Sequence, residues 1–184
     1  MTRSAVFLDR DGVLNRAVVR LGKPYPPAAA ADVEIFPDAP SALARLKLAG
    51  YLRIVVSNQP DVARGTTSRS SVEAINAVLG ASLPIDRFIM CYHDDIANCD
   101  CRKPRAGMLI DGASAFDVDL GASFMIGDRW RDIDAGVAAG CTTIFVDHGY
   151  DERQPTSMHH RVSTLTEAVD IILSPPSLTP PDHS

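Results

Sequence analysis

The 184-residue sequence has no apolar run long enough to cross a membrane, and its first apolar stretch, residues 5–8, is too short for a signal peptide. It also has no excess of basic charge. Its 18 lysines and arginines against 23 aspartates and glutamates give a formal net charge of -5, which argues against a nucleic-acid partner. Cysteine is scarce, and three of the four cysteines lie close together beside a histidine. This spacing favours a metal site in a reducing compartment, and we expect a cytoplasmic protein.

Apolar and amphipathic segments alternate along the chain, as they do in α/β proteins. Short apolar runs predict buried strands at residues 5–8, 52–56, 88–90, 124–126 and 142–146. Helices are expected from Pro37-Asp38 to Gly50, after a capping box of Ser70 and Glu73, and over residues 108–116, 132–139 and 166–173. The pattern indicates a Rossmann-like three-layer sandwich with a mainly parallel sheet, in one domain over residues 1–173. The proline-rich residues 174–184 predict a disordered tail.

Residues 15–32 contain three prolines within four positions, Pro24, Pro26 and Pro27. Proline cannot donate a backbone hydrogen bond, so we expect a loop or short flap here without a regular strand ladder. Neither this flap nor the segment after the third strand has room for a cap domain. The site is therefore predicted to be uncapped.

Asp9 and Asp11 follow the first strand directly, and Gly12 comes next. Extended residues two positions apart face the same side, so both carboxylates can reach one point outside the sheet, where Gly12 permits a sharp turn. Such a pair can share a divalent cation while one carboxylate attacks an electrophile and the other transfers a proton. Carboxylate nucleophiles of this kind form aspartyl-phosphates. A calcium loop or an ordinary surface turn has the same local pattern.

Other polar groups are expected at the same edge of the sheet. The triplet Ser57-Asn58-Gln59 follows the second strand, Lys103 follows the third, and Gly127-Asp128 follows the fourth. Parallel α/β sheets bind ligands outside the carboxyl ends of their strands. A lysine offsets the charge of a phosphate ester, and Mg²⁺ prefers the oxygen ligands offered by Asp9, Asp11 and Asp128.

A second metal site is predicted on the loop after the third strand. Cys91 and His93 form one pair two positions apart, and Cys99 and Cys101 form another. Three thiolates and one imidazole make a closed tetrahedral Zn²⁺ site, which favours a structural role that fixes the following Arg102-Lys103 segment. Free cysteines in a polar loop are the alternative. Cys141 is expected to be a small core residue.

The motifs resemble those of the haloacid dehalogenase superfamily of phosphohydrolases. They are Asp9-x-Asp11-Gly12, Ser57, Lys103 and Gly127-Asp128-x-x-x-Asp132, and the resemblance spans roughly residues 6–147. Three longer stretches, at residues 57–65, 91–104 and 127–136, are similar to the zinc-containing D-glycero-D-manno-heptose-1,7-bisphosphate 7-phosphatases. They are more distantly similar to the histidinol-phosphate phosphatases.

This resemblance implies a Mg²⁺-dependent phosphomonoesterase acting on a phosphorylated sugar, with the 7-phosphate of the heptose bisphosphate as the expected target. It implies that Asp9 is the nucleophile. It further implies that Asp11 binds Mg²⁺ through its backbone carbonyl and serves as general acid and then base. Ser57 would hydrogen-bond the phosphoryl group. Asp132 is expected to support the metal through water or to orient its neighbours.

Arginines are frequent around the motifs despite the acidic overall charge, at positions 64, 102, 105 and 129. This is more cation than one phosphoryl group requires, so a second anionic group on the substrate is predicted. Solvated surface arginines are an equal alternative at positions 64 and 105. The resemblance implies substrate contacts for Arg102 and Arg129, and Asn58 and Gln59 are also expected to bind substrate.

Two departures from the heptose phosphatases concern the substrate pocket. Arg129 stands where lysine is frequent, and the stretch after Asn15 lacks a His-Gly-Tyr-type segment. Histidinol phosphate is therefore the alternative substrate. A catalytically silent binding module is a remote alternative, because fold alone does not fix function.

Overall fold

The chain forms eight strands and five α-helices within residues 2–174, which the computed structural model describes. The strands are β1 (Ala5–Leu8), β2 (Val18–Arg20), β3 (Lys23–Tyr25), β4 (Leu52–Asn58), β5 (Arg87–Cys91), β6 (Phe124–Gly127), β7 (Thr142–Val146) and β8 (His160–Val162). The helices are α1 (Ala39–Leu48), α2 (Arg69–Ser82), α3 (Gly107–Phe116), α4 (Trp130–Ala139) and α5 (Leu165–Leu173). Apart from Ser174, the tail predicted over residues 174–184 lies outside the described residues.

Six of these strands form one sheet in the order β5-β4-β1-β6-β7-β8, with every neighbouring pair parallel. Successive side chains of a strand point to opposite faces. Accordingly, Val6 and Leu8 pack in one apolar core with α1, α2 and α5, whereas Ala5 and Phe7 pack in a second core with α3 and α4. The predicted three-layer α/β sandwich is confirmed. Cys141 is buried in the second core, as expected.

The central strands bring the predicted site residues to one edge of the sheet. Strand β1 pairs with β4 on one side and with β6 on the other. Because the three strands are parallel, their carboxyl ends lie side by side. Strand β4 continues beyond the predicted residues 52–56 through Ser57 and Asn58, which carries both residues to this edge.

The expectation that the flap contains no strand ladder was wrong. Strands β2 and β3 form an antiparallel hairpin in which Pro24 pairs with Val19. Leu21 and Gly22 connect them with φ angles of 50° and 73°, and two positive φ angles are typical of a type I′ turn. Hydrogen-bonded and non-hydrogen-bonded pairs alternate in such a hairpin, so Pro24 falls where no backbone donor is required.

Smaller differences concern the ends of elements. The cap of α2 is Ser68, whose Oγ accepts a hydrogen bond from Ser71 N at 3.0 Å, and not the predicted Ser70. Glu73 instead pairs with Arg69 along the helix surface. Strand β8 was not predicted, because it is short and His160 and Arg161 are exposed. Within residues 2–174, no helix combines the length and apolarity required to span a bilayer.

Candidate active site

A cavity of about 60 Å³ lies at the carboxyl ends of β1, β4 and β6. Ten residues from the sheet edge, the hairpin, the Cys/His loop and α4 line it: Asp9, Asp11, Pro24, Pro26, Ser57, Asn58, Lys103, Arg129, Arg131 and Asp132. The structure thus brings residues from all four predicted motifs to one cavity. The hairpin contributes Pro24, Pro26 follows it directly, and the hairpin lies in place of a separate cap domain within the described part of the chain.

Lys103 connects several of these groups and is only 2% exposed. Its Nζ donates to Asp9 Oδ1 at 2.7 Å, to Val56 O at 2.7 Å and lies 2.6 Å from Asp132 Oδ1. Burial by itself would lower the pKa of Lys103, but the carboxylates of Asp132 and Asp9 raise it above its ordinary value. The ammonium is therefore charged and fixed in position beneath the cavity.

The carboxyl groups of Asp9 and Asp128 lie in a buried, negatively charged environment. Burial raises the pKa of Asp9 to about 6, against the lowering effect of Lys103. Burial also raises the pKa of Asp128, and the nearby Asp9 and Asp132 add to this effect. No hydrogen bond of regular geometry reaches either Asp128 oxygen within the described residues, although both are buried and the Tyr150 phenol is close by. A buried carboxylate without a donor is costly unless a cation offsets it.

Gly12 allows this close arrangement of the first and fourth motifs. Its φ angle is 91°, in the left-handed region that favours glycine. A Cβ atom at this position would lie 1.8 Å from Asp128 Oδ2. The glycine is therefore required both for the backbone turn and for the approach of Asp128.

The Asp11 carboxylate is held by donors on both oxygens. Arg10 contributes its Nε at 3.2 Å to each oxygen and its Nη2 at 2.9 Å to Oδ2. Asn15 Nδ2 donates to Oδ1 and Gln59 Nε2 to Oδ2, both at 3.0 Å. Arg10 is wholly buried and also donates to Asn76 Oδ1 in α2 at 2.9 Å. Arg10 was not predicted as a site residue, although a charged side chain between two site carboxylates is a usable signal.

Asn58 and Gln59, both predicted to bind substrate, hold other site residues in place. Asn58 bonds the backbone of Lys103 twice, through Nδ2 to Lys103 O at 2.9 Å and through Oδ1 from Lys103 N at 3.0 Å. Gln59 is only 2% exposed, and its Nε2 donates to Ser57 Oγ as well as to Asp11. The structure places Asn58 at the cavity wall and Gln59 behind it.

Asp132 closes the start of α4 and also faces Lys103. Its Oδ2 accepts a hydrogen bond from Arg129 N at 2.9 Å, while Oδ1 is the Lys103 partner. A Cβ atom on Gly127 would lie 2.1 Å from Asp132 Cβ, so the glycine makes room for this side chain. Both oxygens of Asp132 are thus used within the protein, which favours the expectation that it orients its neighbours.

The Cys/His loop brings its four predicted ligands together. One ligand atom from each of Cys91, His93, Cys99 and Cys101 lies within 4.8 Å of the others. The Cys101 Sγ atom is 3.2 Å from that of Cys91 and 3.4 Å from that of Cys99. Zn–S bonds of about 2.3 Å in a tetrahedron require sulfur atoms about 3.8 Å apart, so a small expansion would admit the ion.

The arginines next to the cavity are paired with acidic groups. Arg102 Nε donates to Asp95 Oδ1 at 3.0 Å, and Arg129 forms a two-point ion pair with Glu152, with Nε–Oε2 at 2.8 Å. A second cavity of about 210 Å³ adjoins the first and is lined by these arginines. Arg131 lines both cavities and was not predicted. Its position in the first turn of α4, two residues after Arg129, could have identified it.

Arg64 and Arg105 were each predicted either to bind substrate or to lie solvated on the surface. Both have partners within the protein. Arg105 donates from Nη1 to the carbonyls of Asn98 and Cys99, each at 2.8 Å, and so braces the Cys/His loop. Arg64 lies at the second cavity and pairs with Asp61 at 3.2 Å.

The segment after β7 contacts the site from the opposite side, and its role was not predicted. His148 Nε2 lies 2.7 Å from Gly12 O, and Asp151 N donates to Gly22 O at the hairpin turn at 2.9 Å. Burial and the charge of Asp128 raise the pKa of Tyr150, so its phenol stays protonated. This segment therefore joins the hairpin, the first motif and Arg129.

Comparisons with known proteins agree with this arrangement. Residues 100–169 match a family model described as HAD-hydrolase-like. The chain is 34% identical over 169 residues to the D-glycero-D-manno-heptose-1,7-bisphosphate 7-phosphatase of Thermosynechococcus vestitus, covering 83% of each protein. It is 33% identical over 158 residues to the D-glycero-beta-D-manno-heptose-1,7-bisphosphate 7-phosphatase of Pseudomonas aeruginosa, covering 81% of this chain and 84% of the relative.

A solved structure has a similar fold over nearly the same length. It is the D,D-heptose 1,7-bisphosphate phosphatase of Bordetella bronchiseptica in complex with magnesium and phosphate. The TM-score is 0.79 at 28% sequence identity, and the match covers 92% of this chain and 98% of that one.

Proposed function

Since the chain belongs to the haloacid dehalogenase superfamily, alongside the D,D-heptose 1,7-bisphosphate phosphatases, we propose that it removes the 7-phosphate of D-glycero-D-manno-heptose 1,7-bisphosphate. One observation carries the proposal. A cavity built from Asp9, Asp11 and Lys103 adjoins a larger cavity lined by arginines. The first suits hydrolysis of a phosphate ester, and the second suits another anionic group on the same small molecule.

The chemistry proceeds in two displacements at phosphorus. Lys103 holds Asp9 Oδ1, which leaves Oδ2 to attack the phosphorus in line with the leaving sugar oxygen. The P–O bond to the sugar breaks, and Asp11 in its protonated form transfers its proton to the sugar oxygen and becomes a carboxylate. Asp11 then accepts a proton from water, the water oxygen bonds to phosphorus, and the bond to Asp9 breaks. Inorganic phosphate and the free Asp9 carboxylate result.

The residues at this site fit a bound Mg²⁺ ion. The two Asp128 oxygens are buried with no hydrogen bond of regular geometry within residues 2–174, and the Asp9 carboxylate is close by. We expect Asp9, the backbone carbonyl of Asp11, and Asp128 to hold the ion, because Mg²⁺ prefers oxygen ligands. The ion would offset the negative charge shared by the phosphoryl group and the carboxylates. Ser57 lines the cavity and would donate to a phosphoryl oxygen.

The Cys/His loop fits Zn²⁺ in a structural role. Three thiol sulfurs and one imidazole nitrogen fill the four positions of a tetrahedral ion, so none is left for water or substrate. Zinc would fix the loop that carries Arg102 and Lys103. Binding energy of the metal would then stabilise the position of the catalytic lysine.

Steady-state kinetics with Mg²⁺ across a panel of phosphate esters tests the proposal. We expect kcat/KM for the heptose 1,7-bisphosphate to exceed that for heptose 7-phosphate and for histidinol phosphate by at least about tenfold, the scale of one charged contact. Phosphate release must come from position 7, which the remaining heptose 1-phosphate identifies. A higher kcat/KM for histidinol phosphate would sink the substrate assignment while leaving the phosphatase chemistry intact.

A further inference from the structure

One carboxylate lies against three guanidinium groups from three separate segments. Asp95 Oδ1 accepts hydrogen bonds from Arg102 Nε at 3.0 Å and from Arg131 Nη1 at 3.1 Å. Its Oδ2 lies 3.5 Å from Arg64 Nη2. Arg64 belongs to the loop after β4, Arg102 to the Cys/His loop and Arg131 to the first turn of α4. Asp95 is therefore the point where these three segments are tied together.

All four residues line the larger cavity, of about 210 Å³. Five cationic side chains and two carboxylates face it: Lys23, Arg64, Arg102, Arg129 and Arg131 against Asp61 and Asp95. Arg129, Arg131 and Asn58 also line the catalytic cavity, so the two cavities share a wall. An anionic group in the larger cavity can thus belong to the molecule whose phosphate reaches Asp9.

We propose that Asp95 is a positioning residue for the substrate's second phosphate, which it serves by holding Arg64, Arg102 and Arg131 in a convergent arrangement. This inference rests on the proposed function. Without Asp95, three like charges on long side chains would repel one another and gain rotamer freedom, and a ligand would have to order them again. Arg102 and Arg131 share one oxygen of Asp95, so each keeps further N–H groups for a ligand.

Asp95 also carries a negative charge, which opposes an arriving anion. Its side chain is 57% exposed, whereas that of Arg102 is 11% exposed. Water therefore screens the carboxylate more than it screens the arginine. For this reason the affinity gained from the ordered arginine donors outweighs the repulsion between Asp95 and the second phosphate. Removal of the Asp95 carboxylate therefore weakens substrate binding.

The adjacent Asp94 contacts the backbone of its own loop and not the arginines, so it offers a matched control. Its Oδ1 accepts hydrogen bonds from Ile96 N at 3.0 Å and from Ala97 N at 3.2 Å, which shapes the loop. An asparagine at position 94 retains an oxygen that can accept both bonds. Asp94→Asn therefore removes one unit of charge from the same loop without releasing the arginines.

The experiment compares two sugars that differ only in the second phosphate, heptose 1,7-bisphosphate and heptose 7-phosphate, with the Mg²⁺-loaded enzyme. We expect Asp95→Ala, which removes both acceptor oxygens, to lower the preference for the bisphosphate, measured as the ratio of the two kcat/KM values, by about fivefold to tenfold, the scale of a few partly exposed ion pairs. We expect the KM for the bisphosphate to rise and kcat to stay unchanged. Zinc content and melting temperature should equal those of the parent, which separates positioning from loop damage.

Each of the following outcomes contradicts the inference. An Asp95→Ala variant with a lower KM for the bisphosphate would mean that the carboxylate competes with the substrate, and an unchanged KM would mean that Asp95 does not position the arginines. An equal loss in Asp94→Asn would assign the effect to charge alone. A parent enzyme that treats the two sugars alike overturns the proposed function and this inference with it, whereas a bisphosphate preference that survives Asp95→Ala overturns this inference only.

Discussion

Lys103 Nζ lies 2.6 Å from Asp132 Oδ1, and this ion pair joins the end of the Cys/His loop to the first turn of α4. Both groups are almost fully buried. Because Lys103 also binds Asp9, the pair connects the proposed nucleophile with the motif that carries Asp128. The position of the catalytic charge thus depends on two segments that are distant in sequence.

Asp132→Asn should lower both stability and turnover. Asp132 accepts from Lys103 at one oxygen and from Arg129 N at the other, and an asparagine has one acceptor oxygen for these two donors. The unmatched donor should cost about 1–3 kcal/mol of unfolding free energy. Denaturant unfolding and kcat are the measurements. Asp134→Asn, which removes a surface partner of Arg153 from the same helix, is the control. Equal behaviour of the two variants would contradict the assigned role of Asp132.

Arg10→Lys should lower kcat without raising KM. Arg10 binds both oxygens of Asp11 and also Asn76, whereas lysine offers a single nitrogen. We expect a decrease of about tenfold to a hundredfold, the scale of one hydrogen bond to a charged group. The control is Arg53→Lys, since Arg53 is a buried arginine that pairs with Asp86 at the other end of the sheet. That variant should lose stability and keep its kcat. An equal decrease of kcat in both variants would mean that turnover does not depend specifically on the Arg10–Asp11 contact.

The two metals should be separable by chelation. Magnesium held by a few carboxylates exchanges readily, whereas three thiolates and an imidazole hold zinc tightly. Mild EDTA treatment should therefore abolish activity, and Mg²⁺ alone should restore it with zinc retained, as measured by metal analysis beside activity. Cys99→Ser should lose zinc, melt at a lower temperature and bind substrate more weakly. Cys141→Ser, which changes a cysteine outside the loop, should keep its zinc. Purified protein without zinc would refute the structural-zinc proposal.

Magnesium should stabilise the protein more at higher pH. Burial raises the pKa of Asp9 from 3.8 to about 6 and raises that of Asp128 as well. The metal-free fold therefore binds protons more tightly than the unfolded chain, and these groups make it less stable as the pH rises through 6. Mg²⁺ requires the ionised carboxylates, so its binding weakens as the pH falls. Thermal melting with and without Mg²⁺ should give a larger shift above the Asp9 pKa than below it. A shift that does not depend on pH would contradict this linkage.

The sequence predicted the sheet and the meeting of the four motifs, because both follow from local patterns. The run at residues 5–8 is apolar on both faces, and parallel strands bring their carboxyl ends to one edge. The hairpin was not predicted, because Pro24 is tolerated only at a non-hydrogen-bonded pair and the sequence does not reveal the register. The partners of Arg102 and Arg129 were also hidden. Asp95 and Glu152 reach them through the tertiary fold, and no spacing in the sequence indicates those contacts.

Covalent catalysis at this site requires that Asp9 carries the phosphoryl group during turnover. Rapid acid quench with heptose 1,7-bisphosphate labelled at the 7-phosphate, followed by peptide mapping, tests it directly. We expect label on the peptide that contains Asp9 within one turnover, its loss when unlabelled substrate is added, and neither label nor turnover in Asp9→Asn. A parent enzyme that releases labelled phosphate with no labelled Asp9 peptide, or an Asp9→Asn variant with parental turnover, would contradict the account.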